Sequence, residues 1–240
     1  MKCNRPTPIC IAILCFLLSS CGNNHSEKKD QTQIMDTART ESAIKTAEVI
    51  YTSNGQQSNG YIAYDENRKT AANPQEAMAL TKPYYTHPEM SKPVVEAAIA
   101  KAATFPQADT SRVAAIGYCF GGFIVLNAAK LGAPLKGVVS FHGGLGGVQP
   151  KKGVIRGEIL VCQGGADPFV PETEQAAFKK SMDSVGAHYT FVSYPGALHA
   201  FSNPNATAMG EKFKMPIAYN AAADTASWKD MRTLFSSALK

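Results

Sequence analysis

The chain has 240 residues, 45% of them hydrophobic and 18% charged, a balance that fits one large globular domain and excludes disordered and fibrous classes. Its formal charge of +5 is scattered with no basic stripe, which argues against a nucleic-acid partner.

The N-terminus is the first informative segment. Lys2 and Arg5 precede residues 9–18, which are apolar apart from two cysteines. Such a run reads as a secretory h-region, too short to remain in a bilayer as a spanning helix. It ends in Leu18-Ser19-Ser20-Cys21, which resembles the bacterial lipobox, where the cysteine receives a diacylglyceryl thioether and becomes the new N-terminus. Simple cleavage near Ser20 is the alternative. The predicted organisation is a signal peptide over 1–20, lipidated Cys21 with a polar, flexible tether to residue 47, and a folded domain over 48–240. The membrane is then a partner through the N-terminal lipid anchor, at the periplasmic or surface face of the bacterial cell envelope.

Cysteine usage agrees with this division. Cys3, Cys10, Cys15 and Cys21 belong to the leader or its cleavage point, so only Cys119 and Cys162 remain in the domain. Two cysteines do not make a disulfide framework.

A β-hairpin is expected over 49–52 and 60–64, turning at Ser53-Asn54-Gly55. Residues 65–81 hold no β-branched or aromatic run and allow a short helix over 74–80. A second helix over 91–103 places Pro93 in its first turn. Strands are then expected at 113–116, 136–141, 158–163 and 189–194. Helices alternate with them at 121–131, 171–185 and 224–239. The last should bury Trp228, Met231, Leu234, Phe235 and Ala238, and the one before it should turn Phe178, Met182 and Val185 to one face. Alternation of this kind predicts an α/β fold with a mostly parallel sheet and helices on both faces.

Gly117-Tyr118-Cys119-Phe120-Gly121-Gly122 lies between a predicted strand and a predicted helix. It matches the pattern G-x-S-x-G with cysteine as nucleophile. That pattern puts the nucleophile on a sharp, strained turn, and small flanking residues let strand and helix approach. The helix N-terminus behind Cys119 favours a thiolate, and the Phe120 N–H is a candidate oxyanion donor. A thiol nucleophile needs a base and a group that orients the base. Asp167 follows the strand ending at Gln163, and His199 follows the strand ending at Tyr194. In a parallel sheet both therefore fall on the same edge as Cys119. His142, after the strand ending at Phe141, is expected as a pocket wall, with Tyr118, Phe169 and Phe201 as further candidate lining residues. Cys162 reads as a core residue. No metal-ligand or nucleotide-binding pattern is present, so neither a metal nor another cofactor is expected.

The motifs around Cys119, together with Gly137-Val138-Val139-Ser140-Phe141-His142-Gly143, Gly165-Ala166-Asp167-Pro168-Phe169-Val170-Pro171 and His199-Ala200-Phe201, resemble those of the dienelactone hydrolase family within the α/β-hydrolases. The resemblance runs from about Glu48 to the C-terminus. It implies hydrolysis of a small carboxylic ester or lactone by a Cys119–His199–Asp167 triad through a thioester. Two departures stand out. The namesake enzyme has a serine directly after the histidine and an arginine soon after, which bind the substrate carboxylate; here Ala200 and Asn203 stand there. Family members also carry a strand, an oxyanion loop, a helix and a strand that find no counterpart between about Lys69 and Thr70. A unit of that kind takes roughly thirty residues or more, and the stretch before Ser111 already holds the helix over 91–103. Two alternatives therefore stand beside an active hydrolase: a non-catalytic or impaired envelope lipoprotein, or a deletion or gene-model artefact of an active parent enzyme.

Overall fold

The computed structural model describes residues 71–106 and 108–240, together with the backbone of three strands that precede them. Cys21, most of the leader and tether, and the point between Lys69 and Thr70 lie outside the described residues. The chain divides into two compact units, Leu17–Met78 on the one hand and Met1–Phe16 with Ala79–Lys240 on the other.

In the first unit, β2 (Ile44–Ser53) and β3 (Gln56–Asp65) form the expected antiparallel hairpin, each strand longer than predicted, with β2 starting ahead of Glu48. Helix α1 (Pro74–Thr86), which belongs to the second unit from Ala79 on, is six residues longer than the stretch expected for it. An Asn73–Glu76 box fixes its start: Asn73 Oδ1 accepts the Glu76 N–H at 2.9 Å, and Glu76 Oε2 accepts the Ala72 N–H at 2.9 Å.

In the second unit, a five-stranded parallel sheet runs in the order β1-β4-β5-β6-β7. Its strands are β1 (Ala12–Ile13), β4 (Ala114–Tyr118), β5 (Gly137–Phe141), β6 (Glu158–Gly164) and β7 (Tyr189–Tyr194). The four longer strands were legible in the sequence. β1 was not: its two residues sit inside the predicted leader and pair with Ala115 and Ile116. Helices α2 (Ser91–Ala102), α3 (Phe120–Lys130), α4 (Glu172–Ser184) and α6 (Ala221–Ala238) match the expected ones to within three residues at each end. Helix α5 (Ala206–Phe213) was not expected from the sequence; it seats Ala206 and Gly210, both side-chain poor.

The period of two along the strands sorts the core into two layers. Val138, Ile159 and Val161 face α3 and α4 residues such as Leu126, Phe178 and Met182. Val139, Phe141, Leu160 and Cys162 face Ala223, Met231 and Phe235 of α6. The sheet is thus covered on both faces, which explains why β5 is buried at every position. One expectation needs correction. Trp228 is 43% exposed, because the buried stripe of α6 runs through Ala223, Ser227, Met231 and Phe235 at intervals of one helical turn and leaves Trp228 beside it.

Candidate active site

The turn after β4 is tight. Cys119 adopts φ 51° and ψ −117°, a conformation that side-chain-bearing residues rarely hold without support. A Cβ on Gly117 would overlap the Gly121 carbonyl, and one on Gly122 would overlap Ser140 Oγ, so strand, helix and β5 approach only because both residues are glycine. The result is an exposed Cys119 at the N-terminus of α3, with Phe120 as the first helical residue.

Two further loops converge on it. Ala166 donates its N–H to the Ala197 carbonyl at 2.9 Å, and Gly165 donates to the Tyr194 carbonyl at 2.8 Å, which stitches the loop after β6 to the loop after β7. His199 Nε2 lies 3.1 Å from Cys119 Sγ, and His199 Nδ1 lies 2.9 Å from Asp167 Oδ2. Asp167 is held from two more sides. Its Oδ1 accepts the Phe169 N–H at 2.9 Å, and its Oδ2 also accepts Gln163 Nε2–H at 2.8 Å. Gln163 is fully buried and was not singled out from the sequence, where it reads as one more strand residue.

The electrostatics follow from this placement. Burial disfavours a charged His199, but hydrogen bonds to Asp167 and Cys119 and the charges of both outweigh it and raise its pKa to about 10. The stabilisation from that pairing is complete below the ordinary imidazole value of 6.5 and is lost as the pH rises through about 10. His142 goes the opposite way. Burial first, and then the neighbouring His199 charge, hold it well below the usual imidazole range.

The candidate lining residues separate. Phe169 is 46% exposed, with its ring 5.1 Å from that of His199, and Tyr118 is half-buried and stacked on Phe141. Phe201 and His142 do not line an open surface. Phe201 is fully buried in the layer with Tyr194, and His142 is 2% exposed beneath the site. The adjacent aromatics Tyr84 and Tyr85 escaped sequence reasoning. Their rings pack on Phe120 at 5.4 and 5.8 Å, and burial, then the charges of Cys119 and Glu174, push the Tyr85 hydroxyl up to about 12. The pair Tyr84-Tyr85, in a stretch otherwise free of aromatics, was the available signal.

Beside the site, the loop after β5 is clamped. Lys130 Nζ donates to the carbonyls of Leu145 at 2.9 Å and Gly146 at 3.2 Å, and Glu174 Oε1 accepts the N–H groups of the same two residues. Asn127 adds bonds to Gly146 and Val148. Burial lowers Lys130 to about 8, with the Glu174 charge opposing. Among the described residues, no group of three or more His, Cys, Asp or Glu side chains is arranged to hold a metal ion.

A parallel sheet covered on both faces, with a cysteine on a strained strand-to-helix turn and an Asp and a His at later strand ends, defines an α/β-hydrolase-type protein. The dienelactone hydrolase family profile matches residues 26–239, and the chain belongs to that family. An uncharacterised protein of Caenorhabditis elegans is 30% identical over 141 residues, which make up 58% of this chain and 87% of that protein. A protein of Synechocystis sp., described as a candidate carboxymethylenebutenolidase, is 29% identical over 155 residues; the match spans 61% of this chain and 58% of that one. The crystal structure of a dienelactone hydrolase-like promiscuous phosphotriesterase from metagenomic libraries shares the fold at 24% identity. Its TM-score is 0.65, and the match covers 82% of this chain and 100% of that one. Family membership supports a hydrolase of carboxylic esters or lactones.

Proposed function

We propose that the protein hydrolyses a small carboxylic ester or lactone with Cys119 as nucleophile, His199 as acid and base, and Asp167 as the group that orients His199. The observation that carries this reading is the continuous line Cys119 Sγ–His199–Asp167, with contacts of 3.1 and 2.9 Å. A protonated His199 beside Sγ favours the thiolate, which is the attacking form. Attack on the ester carbonyl forms the S–C bond, and the negative charge that develops on oxygen is received by the Phe120 N–H. The intermediate collapses to a thioester while the leaving alkoxide takes the proton from His199 Nε2. Acylation removes the negative sulfur, and with it two of the contributions that raise His199, so the imidazole is now suited to take a proton from water. Hydroxide attack on the thioester then releases the acid and restores thiolate and imidazolium.

Selective alkylation tests the assignment. Cys162 is buried, and burial pushes its thiol up to about 12, with the Tyr194 hydrogen bond opposing. Iodoacetamide at pH 7 is therefore expected to label Cys119 and spare Cys162 in folded protein, read by peptide mapping. Equal labelling of both would overturn the assignment. Placement in the cell is a separate proposal: Cys21 carries the lipid anchor, as the leader ending in Leu18-Ser19-Ser20-Cys21 suggests. Mass spectrometry of the mature N-terminus should show acyl additions on Cys21, and Cys21→Ser should leave the protein unacylated. A free amino terminus elsewhere would sink that proposal.

A further inference from the structure

We propose that His142 is a positioning residue that ties the nucleophile turn to the loop carrying His199. The inference rests on the triad reading above and extends it to a residue that the family motif marks only by its presence.

The geometry is a bridge. The Cys119 N–H is shared between the Phe141 carbonyl at 3.0 Å and His142 Nδ1 at 3.2 Å. Since Nδ1 accepts, the ring proton of a neutral imidazole resides on Nε2, and Nε2–H donates to Ser202 Oγ at 2.8 Å. Ser202 lies three residues beyond His199 in a tightly bent segment: Ala200 has φ 58°, and Asn203 N–H donates to the Ala200 carbonyl at 2.9 Å. A shift of Ser202 therefore moves His199. His142 itself is held at φ 42°, which turns its ring under both loops instead of continuing the strand. Phe201 packs edge-on against that ring at 5.2 Å and His199 at 5.1 Å, and Tyr118 lies 6.0 Å away.

The bridge needs a neutral imidazole, because a protonated Nδ1 could no longer accept from Cys119. The titratable side chains around it are His199, Cys119 and Tyr118. A cationic His199 discourages a second positive charge 5.1 Å away. Burial of the ring acts in the same direction. One histidine is thereby kept neutral for structure while its neighbour carries the proton for chemistry.

The test compares His142→Phe, which keeps an aromatic volume without nitrogens, His142→Asn, whose amide oxygen can still accept from Cys119, Ser202→Ala, and the His142→Phe/Ser202→Ala double variant. The rate of Cys119 alkylation by iodoacetamide is measured across pH 5–9, with thermal melting alongside. His142→Phe and Ser202→Ala are each expected to slow alkylation near neutral pH, by up to about 100-fold for a displacement near 1 Å. The double variant should be no slower than His142→Phe alone, since both substitutions cut the same bridge, and His142→Asn should recover part of the loss. A His142→Phe protein that melts lower yet keeps the wild-type alkylation profile would overturn the proposal and leave His142 as core packing. If His142→Phe fails to fold, half-buried Ser202 carries the decision alone, and an unchanged profile for Ser202→Ala overturns the bridge. Failure of the triad reading is distinguishable: there, wild-type Cys119 would react no faster than Cys162 before any bridge residue is changed.

Discussion

Exchanging Cys119 for alanine is expected to lower turnover of an activated aryl ester by at least about 10⁴-fold, the scale seen when a member of a catalytic triad is deleted. The side chain is exposed and contributes little to the core, so the melting temperature should stay within a few degrees. Asp167→Asn should cost up to about 10⁴-fold by a different route, because His199 then loses the partner that fixes its orientation and proton position. The double variant Cys119→Ala/Asp167→Asn should be little worse than Cys119→Ala, since an oriented base has no use without the thiol. For the wild-type protein, the rate should hold through neutral pH and fall as the pH passes about 10, where His199 loses the proton it donates to the leaving group. A Cys119→Ala protein that keeps more than a tenth of the wild-type rate would remove the triad from consideration.

The second large effect concerns the oxyanion. In the reading from sequence, the unit that supplies the second donor is absent at about Lys69, which leaves the developing charge mainly to the Phe120 N–H. Loss of one such donor corresponds to roughly 100- to 1,000-fold in turnover. The 240-residue chain is accordingly expected to be a weak esterase, and a version with a family-type strand–loop–helix–strand inserted after Lys69 should gain on that scale. The gain should vanish on Cys119→Ala, which separates restored catalysis from a contaminating esterase. If the unaltered chain already matches its extended counterpart, the inserted unit was never needed. The described sheet bears on this expectation: β4 pairs with β5 over five residues, but on its other side only with the two residues of β1.

What was legible in the sequence and what was not divides along physical lines. The longer strands of the sheet and the helices α2, α3, α4 and α6 announce themselves because each buries a stretch long enough to show a period, bounded by glycine or a turn. The approach of Cys119, Asp167 and His199 could be read because a parallel sheet carries all its strand ends to one edge, so position along the chain became position in space. The supporting contacts could not. Gln163 and Ser202 are ordinary residues in their local segments, and their importance arises only from what lies across the fold. His142 was noticed for its place after a strand, yet nothing local reveals that its ring is turned inward by a positive φ. Trp228 failed for a related reason, since an apolar residue next to a helical stripe looks in sequence much like one within it.

The separation of 80 residues between Cys119 and His199 has a consequence for the life of the chain before it is folded. The turn is strained only once α3 packs against β4 and β5, and His199 reaches the sulfur only once β7 has joined the same sheet. On the proposed triad reading, the reactivity of Cys119 would be switched on by the same long-range contacts that complete the fold. A chain leaving the cytoplasm unfolded would thus carry its nucleophile in a dormant form through the passage in which oxidants could most easily reach it.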